Sequence, residues 1–199
     1  MYKKAIYSVL SNEPLTNGVY RMVLEGDSQW ITRPGQFVNI ELEGFYLRRP
    51  ISISDWSDNT ITIIYKVVGR GTEVMSHMGV GVKLDVLTGL GNGFDADAEC
   101  QKPLLVGGGV GVPPLYRLAK ELIARGRKVS VVLGFNRADE VFYADEFKAL
   151  GADVYVSTAD GSMGVKGFVT DAIREAAIDF DYFYSCGPLP MLKALCGCC

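Results

Sequence analysis

The rhythm of the sequence changes near residue 100, and that change limits the fold more than any other feature. Up to about Gly93 the chain reads as short strands: Lys4 to Ser11, Val19 to Glu25, Phe37 to Leu42, Ile51 to Ser54, Thr60 to Val68 and Val82 to Leu87. Turn residues separate them, at Asn17-Gly18, Pro34-Gly35 and Asp58-Asn59. Thr60-Ile61-Thr62-Ile63-Ile64-Tyr65 partly alternates at the two-residue period of a half-buried strand. Six such strands at this spacing predict an antiparallel barrel, with a short helix around Thr72 to Met78 as a plug. From Pro103 the pattern becomes strand then helix. Pro103 to Val106, Pro113 to Arg125, Val129 to Leu133, a helix near Asp145 to Leu150, Val154 to Ser157, Val169 to Ala177, Tyr182 to Ser185 and Pro190 to Leu195 follow in turn. That alternation predicts a parallel sheet with helices on both faces. The polar run from Asp95 to Lys102 falls where a linker belongs, so the expected organisation is a β-barrel domain at 1–98 and an α/β domain at 99–199.

Composition removes several functions. With 48% hydrophobic and 22% charged residues in 199, the chain has enough apolar material for real cores. Net charge is −3 and the Lys and Arg residues are scattered, so no basic face is available for nucleic acid. Ser11, Asn12 and Glu13 interrupt any signal-like core after Lys3-Lys4, and no window approaches the roughly 18 apolar residues of a membrane span. The five cysteines, Cys100, Cys186, Cys196, Cys198 and Cys199, do not resemble a disulfide framework. A soluble cytoplasmic protein is the expectation.

Two constellations carry chemistry. On the barrel, Leu47-Arg48-Arg49-Pro50-Ile51-Ser52-Ile53-Ser54 sets two guanidinium groups before an apolar strand. A guanidinium fork donates two parallel hydrogen bonds to a pyrophosphate, and Arg49 is the residue expected to do so, with Ser52 placed for a flavin ring edge. Such a pair is also what a solvated strand end carries. Further on, Ile64-Tyr65-Lys66 ends a strand and Gly69-Arg70-Gly71-Thr72 opens a helix, exposing backbone N–H groups to a phosphate. A hairpin exit with Thr72 as cap has the same residues.

On the sheet, Leu104-Leu105-Val106-Gly107-Gly108-Gly109-Val110-Gly111-Val112-Pro113-Pro114-Leu115 is a strand, a glycine turn and a helix start, the order that phosphate binding requires. Pro114 stands where the Rossmann pattern has a third glycine, and no acidic residue closes the second strand at Leu133 to Asn136. A different nucleotide-binding sheet is therefore expected. Cys186-Gly187-Pro188 ends the last strand, at the edge where open parallel sheets bind ligands, and its thiol is placed to flank a nicotinamide ring; a buried structural cysteine is the other reading.

Taken together, Arg49-Pro50-Ile51-Ser52, Ile64-Tyr65-Lys66, Gly71-Thr72, the glycine stretch from Gly107 and Cys186-Gly187-Pro188 resemble the ferredoxin reductase superfamily in order and spacing. The runs LRRPISI, IYKVVGRGT, LLVGGGVGVPPL, STADGSMG and SCGPLPMLKAL resemble, within it, the electron-transfer subunits of type B dihydroorotate dehydrogenases, over nearly all of the chain. The resemblance implies FAD on the barrel, held at Arg49 to Ser52, Ile64 to Lys66, Gly71 and Thr72, and NAD on the sheet, held at Gly107 to Gly111, Pro113 and Cys186 to Pro188. It implies a 2Fe-2S cluster on a C-terminal segment, an FMN-containing dihydroorotate dehydrogenase catalytic subunit as partner, and a place in pyrimidine biosynthesis. The family's cluster cysteines lie in a segment beyond the last strand and helix matched here. Cys196, Cys198 and Cys199 follow Leu195 at a different spacing, and are carried only as candidate metal ligands.

Rival readings are a reductase subunit serving another ferredoxin or sulfur acceptor, and a subunit that holds FAD without turnover. The lone histidine, His77, lacks the partners of a catalytic triad. Arg137, after the second sheet strand, is a candidate cation for the 2′-phosphate of NADP.

Overall fold

The computed structural model describes residues 2–197. Its first unit, Met1–Asp95, contains β1 (Lys3–Thr16), β2 (Val19–Glu25), β3 (Phe37–Ile40), β4 (Arg49–Trp56), β5 (Thr60–Lys66), helix α1 (Arg70–Ser76) and β6 (Lys83–Leu90). The strands close a barrel in the order β1-β2-β5-β4-β3-β6, every pairing antiparallel. Alternation decides what lies inside. Ile61, Ile63 and Tyr65 of β5 are buried, and they meet Tyr7 and Val9, Met22 and Leu24, Val38 and Ile40, Ile53, and Leu84 and Val86 from the other five strands. Each such side chain contributes about 1.5–3 kcal/mol by leaving water.

β1 runs to Thr16, five residues beyond the strand expected from sequence. Its first half pairs with β6 and its second with β2, so it must bend to serve two neighbours. Register shifts at Val9/Ser11 and Pro14/Thr16 supply the bend, and they accommodate Pro14, which cannot donate to a regular ladder.

The helix α1 plugs the barrel with the buried side chain of Met75. Asn12 on β1 holds it there. Its amide nitrogen donates to the carbonyls of Met75 (2.8 Å) and Met78 (3.0 Å), and its carbonyl oxygen accepts the Tyr65 hydroxyl at 2.9 Å. Burial pushes the Tyr65 phenol up to about 12, with the Asn12 bond opposing, so the hydroxyl remains a donor.

The second unit, Ala96–Cys199, begins with β7 (Pro103–Gly108), followed by α2 (Pro113–Ala124), β8 (Ser130–Phe135), α3 (Ala144–Ala149), β9 (Asp153–Thr158), the short β10 (Val165–Lys166), α4 (Val169–Glu175), β11 (Tyr182–Cys186) and α5 (Leu189–Cys196). The strands form one sheet, β10-β9-β8-β7-β11, with all pairs parallel. β7 is buried along its whole length, as a central parallel strand covered on both faces must be. Leu104, Val106 and Val132 pack with Val169 and Ala172 of α4 and Leu195 of α5. α2 lies over the opposite face, where Val112 and Leu115 crowd Gly107. β10 is too short and polar to read from sequence; it forms because Val165 and Lys166 pair with Ser157 and Thr158.

Removal of the Asn12 amide strands one buried hydroxyl and two helix-terminal carbonyls. Asn12→Ala is expected to lower unfolding free energy by about 2–3 kcal/mol in urea titrations, since each unmet buried group costs on the order of 1–3 kcal/mol. A loss below about 0.5 kcal/mol would show that the helix does not depend on this link.

Candidate functional site

The barrel has one open seam. β4 and β5 pair from Trp56/Ile61 to Ile53/Ile63 and no further. Beyond that point Arg49 to Ser52 pair only with β3, and Ile64 to Lys66 pair only with β2. Both sequence-predicted segments are therefore the parted lips of one seam. Ile53 donates its N–H toward the β3 side, to Gln36. Strand alternation then turns the Ser52 N–H toward the open side, where a ligand edge can meet it.

The two arginines at this seam have different tasks. Arg48 is spent on structure: its guanidinium donates to the carbonyls of Asn39 and Asp85 at 3.2 Å each, to the Asp85 carboxylate at 2.9 Å and to Glu41. Burial pushes the Asp85 carboxyl up, but Lys4 and Arg48 together hold it below its usual range. Arg49 has no carboxylate partner among the described residues. It donates to the Leu47 carbonyl, and its guanidinium carbon sits 4.7 Å from the centre of the Phe45 ring. It also lies against Gly71, where any Cβ would overlap the guanidinium. Lys66 and Arg70, on the same loop, are exposed and join no ion pair among the described residues. In a chain of net charge −3, these three cations at the seam join no ion pair among the described residues, a charge arrangement that suits an anion.

Other predicted residues contribute less directly. The Thr72 hydroxyl accepts from the N–H of Val68 (3.0 Å) and donates to the Gly69 carbonyl (3.0 Å), so it shapes the loop. The Tyr65 side chain faces the barrel core, Ile64 is buried on the opposite face of β5, and Lys66 is exposed. Pro50 is exposed and Ile51 half-buried beside them. His77 is exposed at the C-terminal end of α1.

In the second unit the strand order reverses between β7 and β11. β8, β9 and β10 build outward from one side of β7, and β11 returns to the other. Open parallel sheets bind ligands at such a switch point, outside the carboxyl ends of the strands. Gly107 to Gly111 leave β7 there and Cys186 to Pro188 leave β11, with Cys186 paired to Gly107. The glycines allow the two turns to touch. A Cβ on Gly111 would stand 2.7 Å from the Cα of Gly187, one on Gly108 would stand 2.7 Å from the Met191 sulfur, and Gly109 has φ +51. Met191, which sequence reasoning passed over, is the floor beneath both glycine turns.

The donors here differ from the sequence expectation. Pro113 and Pro114 fill the first two positions of α2 and have no N–H, and Leu115 already donates to the Val112 carbonyl. The first turn of α2 thus offers few free N–H groups, and the prolines fix the direction of the helix. Burial pushes the Cys186 thiol up, so it remains protonated near neutral pH.

After β8, Arg137 is held by Asp139 through two bonds of 3.1 and 2.6 Å, and Glu140 accepts from Asn136 at 3.0 Å. Among the described residues no three His, Cys, Asp or Glu side chains are arranged to hold a metal ion. Cys196 is exposed at the end of α5, and the other two candidate ligands, Cys198 and Cys199, lie outside the described residues. No helix among the described residues is long and apolar enough to cross a membrane.

The geometry agrees with the chain's relatives. Residues 105–197 match the oxidoreductase NAD-binding domain family. Over 200 aligned residues the chain is 50% identical to the electron transfer subunit of dihydroorotate dehydrogenase B (NAD(+)) from Fusobacterium nucleatum, covering 94% of this chain and 77% of that protein. Identity to the subunit of the same name from Lysinibacillus sphaericus is 47%, covering 99% of this chain and 79% of that one. Among solved structures, an NADH-dependent reduced ferredoxin-NADP oxidoreductase studied for flavin-based electron bifurcation superposes with a TM-score of 0.86 at 33% identity, over 98% of this chain and 72% of that one. A ferredoxin NADP+ reductase from Neisseria gonorrhoeae, solved with FAD and NADP, shares the fold with a TM-score of 0.83 at 17% identity, over 98% of this chain and 90% of that one.

The close approach of the two turns gives a direct test. Gly111→Ala should force the turn away from β11 and lower stability by about 1–3 kcal/mol, the usual cost of overpacking, measured by the urea midpoint. An unchanged midpoint would mean that the turns are not in contact.

Proposed function

Because this chain belongs to the family of electron-transfer subunits of dihydroorotate dehydrogenase B, we propose that it takes electrons from NADH onto a bound FAD and passes them toward a dihydroorotate dehydrogenase catalytic subunit, itself carrying FMN, in the cytoplasm. The observation that supports this most is the open β4–β5 seam with an unneutralised Arg49 at its end.

The seam fits FAD. Arg49, Lys66 and Arg70 supply charge for a pyrophosphate, the bare backbone at Gly71 makes room for the Arg49 guanidinium, and the free edge of β4 at Ser52 offers an N–H to a ring edge. The switch point fits a nicotinamide dinucleotide in the same way, with turn N–H groups from Gly109 to Gly111 for its phosphates and the neutral Cys186 thiol beside the Gly187-Pro188 turn as a wall. When bound, a flavin supplies acceptance of hydride from reduced nicotinamide and release of the electrons singly. The protein's task is to bind and orient, and no acid, base or nucleophile need be sought in the chain. The described residues bring no three metal-ligating side chains together.

The loop after β8 favours NADH over NADPH. In dinucleotide sheets the end of the second strand meets the adenosine ribose. Here Arg137 is paired with Asp139, with Glu140 beside it and Asp160 close enough to act on its charge. A 2′-phosphate would face like charge.

Two outcomes test the proposal. Under anaerobic conditions the purified protein should show oxidised flavin bands that bleach on addition of NADH, with NADPH less effective by on the order of tenfold or more; flavin-loaded protein inert to both would indicate a binding subunit without turnover. Arg49→Ala should weaken FAD binding by about tenfold or more, the value of a charged hydrogen bond, so that the flavin is lost on a desalting column. Retention of stoichiometric FAD would remove Arg49 from the site.

A further inference from the structure

Phe45 stands between the barrel core and Arg49, which joins no ion pair among the described residues. It is half-buried and packs against the barrel core. Its outer face lies under the Arg49 guanidinium, 4.7 Å from ring centre to guanidinium carbon. On another side the guanidinium touches Gly71, where no side chain can stand, and one nitrogen donates to the Leu47 carbonyl. Arg49 is thus held by an aromatic face, a bare backbone and a carbonyl, with no carboxylate to neutralise it. Arg48, one residue earlier, shows the contrast: two carboxylates and two carbonyls consume its donors.

We propose that Phe45 is a positioning residue for the FAD pyrophosphate: its ring fixes the Arg49 guanidinium in the orientation that binds the anion while leaving its charge available. This rests on the assignment of Arg49 to FAD made above. A carboxylate in the place of Phe45 would orient the guanidinium equally well but would compete with the phosphate. An aromatic quadrupole attracts the cation without offering an acceptor. Fixing a flexible side chain before the ligand arrives reduces the entropy lost on binding. The aromatic face therefore gives orientation at no cost in net charge.

The experiment is a double-mutant cycle on the full chain, with FAD affinity read by quenching of flavin fluorescence as FAD is titrated into deflavinated protein. Phe45→Leu keeps an apolar residue in the core and removes the quadrupole. It should weaken FAD by about 2- to 5-fold, the range expected of an exposed cation–π contact. Phe45→Trp should restore or tighten binding, because the larger ring keeps the face. In the Arg49→Ala background, Phe45→Leu should have no further effect. A fall of equal size with and without Arg49 would show that Phe45 acts through packing alone and overturn the inference, as would wild-type affinity in Phe45→Leu. Arg49→Ala by itself separates the two levels: if it releases FAD while the cycle shows no coupling, only the role of Phe45 fails, and if it retains FAD, the pyrophosphate assignment and the role of Phe45 fail together.

Discussion

In a closed barrel every strand has two neighbours, and nearly all backbone N–H and C=O groups are spent on the ladders. A ligand can reach main-chain groups only where two neighbours part. Here that place is the divergence of β4 from β5 beyond Ile53 and Ile63, and the rest of the first unit is arranged around it. The strands on either side keep their outer partners, β3 and β2, so the opening does not unravel the barrel. Asn12 and Tyr65 secure α1 and the core behind it.

Charge is distributed with the same economy. Three cations of the barrel are held in ion pairs: Lys4 and Arg48 with Asp85, Arg21 with Glu13. These exposed or half-exposed pairs add little stability individually. Arg49, Lys66 and Arg70 join no ion pair among the described residues and lie close together in the chain at the seam. The same logic acts in reverse on the second unit, where Asp139 closes around Arg137 and turns a possible phosphate-binding cation into a neutral pair.

The second unit obtains its site from topology. Because β11 returns beside β7, two turns from distant parts of the chain leave the sheet side by side, and only glycine allows them to come so close. The glycines at 107, 108, 111 and 187 thus serve packing: each lacks a side chain because another part of the protein occupies that volume. Loss of one is felt first as a packing defect.

The sequence by itself determined the class of each unit. Alternation at Thr60 to Tyr65 and the strand–helix rhythm after Pro103 report which faces are buried, and hydrophobic burial is what fixes secondary structure. Order and chemistry of the motifs from Arg49 to Pro188 were legible for the same reason, since residue type at a strand end or glycine turn is local information. Tertiary structure alone decided which of two adjacent arginines is free, because that depends on Asp85, thirty-seven residues away in sequence. It decided that Phe45 lies under Arg49 and Met191 under two glycine turns, that Tyr65 spends its hydroxyl on Asn12, and that the Leu115 N–H is taken by the Val112 carbonyl. Such pairings are set by where the chain returns in space, and no periodicity along the chain records them.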